Sequence, residues 1–135
     1  MSIATVEAQI ISTVNAVTEV KTVYKYPIKK FAGEFPILTV LYTGFGLTPA
    51  SGESQDAGWT WEFTVYFPIR NEAESWESLK ELVPIILSAF RDNPTLGDTC
   101  WSAEITMGKP FWQPDLTNTG AYGHSFQLNA RREEV

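Results

Sequence analysis

The chain has one cysteine and one histidine in 135 residues, Cys100 and His124. A lone cysteine excludes an internal disulfide and any multi-cysteine metal site. A lone histidine excludes chemistry that needs two imidazoles from one chain. Positive charge is also scarce, with 10 Lys and Arg against 16 Asp and Glu and a net charge of -6. That balance argues against broad, sequence-independent nucleic-acid binding, which neutralises phosphates with many cations. No apolar run approaches the roughly 18 residues that a membrane helix needs. Met1–Ala16 lacks a basic stretch followed by an apolar one, so no signal peptide is expected, and the single cysteine fits a reducing compartment. The glycine-rich phosphate and dinucleotide motifs and the H-E-x-x-H metal motif are all missing. No catalytic residue, cofactor or metal is therefore expected, and the chain is not expected to be an enzyme.

What the sequence does have is apolar and aromatic. Hydrophobic residues make up 44% and aromatics 13%, with five Trp, while charged residues are 19%. That composition belongs to a folded chain, and the length fits a single domain over residues 1–135 with a core that needs no staples.

Periodicity sets the elements. From Ser2 to about Thr18, Val6, Ile10, Ile11, Val14 and Val17 recur at helical spacing. Glu19–Pro27 reads as a strand ended by Pro27 or lying at a free edge, and Ile28–Glu34 as a polar connection. Phe35–Tyr42 reads as a buried strand. Thr43–Ala57 holds three glycines, one proline and several small polar residues and reads as a long loop. In Gly58–Arg70, Trp59, Trp61, Phe63, Val65, Phe67 and Ile69 alternate with polar residues, which predicts a long strand with both tryptophans at a protruding end. Asn71 with Glu74 offers a capping box for a second helix, whose stripe is Trp76, Leu79, Val83, Ile86, Leu87 and Phe90, with Pro84 inside it. Asp92–Asp98 is a turn cluster. Cys100–Met107 and Ala121–Ala130 read as strands, Gly108–Gly120 as irregular and Arg131–Val135 as a charged tail. The order α-β-β-β-α-β-β predicts an α+β fold, with a central, mainly antiparallel sheet and two helices packed on one face.

The candidate site residues carry two readings each. Lys21, Lys25, Lys29 and Lys30 gather in one segment of an acidic chain. They protect an exposed edge strand, or they meet an acidic partner subunit, or a phosphate. Trp59, Trp61, Trp101 and Trp112 lie near strand ends. They cap a small core, or they anchor an interface. A Cys100–His124 dyad requires contact within about 3.2 Å and an orienting group; the alternative is ordinary packing. Glu72, Glu74, Glu77 and Glu81 read as the solvated face of a helix rather than as paired catalytic carboxylates.

The N-terminal helix, Val23-Tyr24-Lys25-Tyr26-Pro27, Phe35-Pro36-Ile37-Leu38-Thr39-Val40, the strand ending Phe67-Pro68, Leu79 through Leu87 and Asp92-Asn93-Pro94-Thr95-Leu96-Gly97 together resemble the tail-terminator, or tail-completion, proteins of long-tailed bacteriophages. The resemblance covers roughly residues 5 to 107; the Trp-rich segment from Trp101 to Trp112 departs from it. It implies a non-catalytic virion protein, assembled in the host cytoplasm and placed at the head-proximal end of the tail. Such a protein forms a homo-oligomer, a hexameric ring, on the last ring of the tail tube protein. It stops tube growth, meets a head-side connector protein and leaves a lumen for DNA to pass. On that resemblance the Lys and Trp residues above become candidate subunit contacts, the Lys21–Lys30 segment lines the lumen or touches the next subunit, and Thr43–Ala57 faces a neighbour or the tube. The alternatives are another connector or baseplate ring component, or a small-molecule binder with Trp59, Trp61 and Trp112 walling a pocket.

Overall fold

The computed structural model describes residues 3–26, 33–49, 55–69, 71–97, 99–100, 102–113 and 120–134. Helix α1 spans Ile3–Asn15 and buries Val6, Ile10 and Val14, the residues of its apolar stripe. Helix α2 spans Glu72–Arg91 and buries Leu79, Leu82, Ile86 and Phe90. Its start is fixed by Asn71, whose side chain accepts from the Glu74 N–H at 3.1 Å, one of the helix-end donors that a cap must satisfy. Pro84 is accommodated inside α2 on the exposed side.

Five strands form one sheet: β1 Thr22–Tyr24, β2 Ile37–Pro49, β3 Gln55–Pro68, β4 Ser102–Gln113 and β5 Ala121–Glu134. Their order is β1-β2-β3-β5-β4. Only β1 and β2 run parallel; all other neighbours are antiparallel. The fold is thus α+β in the predicted order, with a mixed, mainly antiparallel sheet.

The register divides the sheet into two faces. On one, Leu38, Val65 and His124 share a row, followed by Val40, Phe63 and Phe126, then by Trp61, Leu128 and Ile105. The buried residues of both helices join these rows in a single hydrophobic cluster, so both helices cover this face. The other face is polar, with Thr39, Thr64 and Ser125 in one row, Glu62, Gln127 and Met107 in the next, and Thr60 with Asn129 beyond them.

Four boundaries differ from the sequence reading. The stretch expected to be a loop from Thr43 is instead the continuation of β2 to Pro49, paired with Gln55–Thr60 of β3. Glycines at Gly44 and Gly46 reduce strand preference, but the β3 partner lies alongside and overrides it. The segment from Gly108 is not irregular, because β4 continues to Gln113. The expected tail Arg131–Glu134 is part of β5 and pairs with Gln55–Gly58. The first strand is shorter than Glu19–Pro27, being Thr22–Tyr24 alone.

Candidate interaction surfaces

Trp61 is fully buried and Trp59 only 7% exposed, both on the helix-covered face. The tryptophan end of β3 does not protrude alone, because β2 and β5 flank it there: Trp59 pairs with Phe45 and Ala130. The Trp61 indole N–H donates to Glu7 Oε2 on α1 at 3.2 Å, the partner that a buried indole requires. Tyr42 stacks edge-on against Trp61 with ring centroids 5.6 Å apart. These two tryptophans are core residues that join α1 to the sheet, and the free chain presents neither as a surface anchor. Trp112 is different, being 62% exposed at the end of edge strand β4. Trp101, Lys29 and Lys30 lie outside the described residues. Lys21 and Lys25 are exposed beside the edge strand β1, and Lys21 Nζ donates to the Thr18 carbonyl at 3.1 Å.

A pocket walled by Trp59, Trp61 and Trp112 does not form. Trp59 is level with Ala130 on β5 and Trp112 with Tyr122, eight residues away, or about 26 Å of strand. Shallow depressions of about 240, 350 and 260 Å³ occur at Glu62–Met107–Lys109, at Phe90–Pro94–Glu104 and at Phe35–Phe67–Asn71, and none of the described tryptophans lines them.

The Cys100–His124 dyad does not form either. β4 and β5 are neighbours, but Ser102 pairs with Arg131 and Pro110 with His124. Seven positions along an extended strand separate the two sites by about 23 Å. Cys100 is buried, its thiol within 3.5 Å of the Thr95 carbonyl, and burial pushes its pKa up. Burial likewise pulls the His124 pKa down, while its Nδ1, 3.0 Å from the Ser125 carbonyl, works weakly the other way. Glu72, Glu74, Glu77 and Glu81 are exposed, and Glu77 pairs with Lys80 at 2.8 Å. A solvated pair of this kind adds little stability. Among the described residues, no group of three or more His, Cys, Asp or Glu side chains is placed to hold a metal ion.

The turn after α2 is built in detail. Asn93 Oδ1 accepts from the Gly97 N–H at 3.0 Å, and Asn93 Nδ2 donates to Thr13 Oγ1 on α1 at 3.3 Å. Leu96 adopts a left-handed φ of 48° while fully buried, and Gly97 follows at 65°. Such a backbone is costly for a leucine; burying its side chain beneath the helices holds it there. The Pro94 carbonyl then accepts from the Ala103 N–H at 2.7 Å, tying the turn to the start of β4.

The most exposed feature was illegible from periodicity alone. Beyond Thr39, no described strand lies outside β2, because β1 covers only Ile37–Thr39. β4 is the other margin of the sheet. Each margin carries one bulge, at Thr43 in β2 and Thr106 in β4. In each, the threonine Oγ1 donates to a carbonyl of the neighbouring strand, Thr60 at 3.1 Å and Gln127 at 3.5 Å. Among the described residues, four of the seven large exposed hydrophobic side chains, Tyr42, Phe45, Met107 and Trp112, belong to these two strands. More of this exposed apolar surface lies on the margins than on the helices, which carry Ile3 and Ile85. Between them, the polar face carries a side-chain chain from Thr60 Oγ1 to Asn129 Oδ1 and from Asn129 Nδ2 to Thr106 Oγ1, both at 3.0 Å.

No protein-family model matches the chain, and no curated protein matches it either.

Proposed function

We propose that this chain is a structural virion protein that caps the tail tube as a ring, stops its elongation and offers the joining surface to the head-side connector. The observation that carries the reading is the element order, one helix, three strands, a long helix, the Asp92–Gly97 turn and two strands. As far as the turn, this is the order that the resemblance to tail terminators implies. The margins support an assembly role, because among the described residues no further strand flanks them and they carry exposed aromatics. Its partners on this reading are further copies of itself, the tube protein and a connector protein.

The test is negative-stain imaging of the purified protein mixed with assembled tail tubes, with the protein alone as control. The expected result is rings at one tube end and tubes that no longer lengthen. Rings that ignore the tubes would favour another connector component, and neither rings nor tube binding would sink the assembly reading.

A further inference from the structure

Resting on the ring reading, we propose that successive copies join edge to edge, the free stretch of β2 in one copy pairing antiparallel with the free stretch of β4 in the next. Strand direction alternates from β2 through β3 and β5 to β4. The two outer strands therefore run in opposite senses, and a second copy placed beside the first with the same face forward continues the antiparallel alternation unbroken. The two free stretches are equally long. On β2 the free stretch runs Val40–Pro49, beyond the cover of β1. On β4 it runs Glu104–Gln113, beyond Ala103, whose N–H is taken by Pro94. Pro110 falls within it, a residue that sheets tolerate at an edge, and takes one donor from the ladder.

The offset between the two stretches is informative. Measured along β3, the free part of β2 lies opposite Gln55–Phe63. The free part of β4 is level with Thr60–Pro68, by way of β5. The shift is five residues, about 17 Å of strand, across four strands about 19 Å wide. Pairing the free stretches in full therefore tilts the strands by about 40° to the ring axis, within the roughly 35–45° at which closed sheets are found. The same register sets Gly46 of one copy opposite Met107 of the next. Both are exposed and both belong to the polar face, and the two faces match for Gly44–Gly46 against Met107–Lys109, the stretch between the two bulges.

The test uses cysteine pairs in a C100S background, oxidised with and without tail tubes. G46C and M107C in one chain should give a covalent ladder of multimers. A mixture of G46C chains with M107C chains should stop at dimers, because each chain then carries one half of the joint. Phe45→Lys, at a side chain 67% exposed, should abolish the ladder while leaving the unfolding midpoint of the monomer unchanged. Dimers formed by G46C alone, or no product above the single-cysteine controls, would overturn edge pairing. Tube capping without cross-links would overturn the pairing and leave the capping function standing. A ladder without tube binding would do the reverse.

Discussion

Trp61 shows what one buried polar atom demands. Its indole is enclosed by the helices and the sheet, and Glu7 supplies an acceptor for its N–H. Glu7→Leu should cost about 1–3 kcal/mol in chemical denaturation, the penalty of an unsatisfied buried donor, while Glu7→Gln, which keeps an oxygen, should cost far less. His124 supplies a second residue-level consequence. Its pKa is lowered in the folded chain, so the unfolded chain binds the extra proton first. Stability should therefore fall as pH drops through the ordinary histidine range near 6.5 and level off below the depressed folded value. Unfolding midpoints of wild type and His124→Gln, compared between about pH 8 and 5, isolate that part of the dependence; parallel curves would refute it. Cys100, buried and held neutral, should react with a thiol reagent far more slowly in the native chain than in denaturant.

At the level of elements, α2 was the most legible part of the sequence. Asn71, Glu74 and the stripe from Trp76 to Phe90 specify its start, length and buried side through local rules alone. Pro84 is the local rule that this helix breaks. Pro84→Ala restores an N–H to an exposed position of the helix and should raise stability by about 1–3 kcal/mol, read from thermal unfolding. The strand margins were the least legible part, for a physical reason. Thr43 and Thr106 each add one residue to a strand, which shifts the side-chain alternation by one position and erases period two. After Thr106, Gly108, Pro110 and Trp112 take the helix-facing rows, so a window running through the bulge shows no consistent face. Arg131–Glu134 misled through charge, because pairing to β3 is a property of the partner and leaves no mark on the segment itself. The surface candidates divide the same way. Trp59 and Trp61 alternate with the core residues Phe63 and Val65, and that pattern described their burial better than their position near a strand end did.

For the whole molecule, the central pairings join distant parts of the chain. β3 meets β5 across all of α2 and β4, whereas β2 with β3 and β4 with β5 pair as neighbours in sequence. Closing such separations costs loop entropy before the contacts form. Refolding after stopped-flow dilution from denaturant should therefore take milliseconds to seconds, slower than helical bundles of similar size; a microsecond phase carrying the full amplitude would contradict this.

β5, the last described strand in chain order, sits between β3 and β4, and that bears on how the protein is made. During synthesis β4 emerges with no strand to receive it, and β3 keeps one flank bare until Ala121–Glu134 has left the ribosome. A nascent chain halted before Ala121 therefore carries more naked strand edge than one extended through Glu134, and is the form more exposed to aggregation and to chaperone capture. Completion of the sheet is thereby coupled to synthesis of Ala121–Glu134, without which β3 and β4 have no common partner.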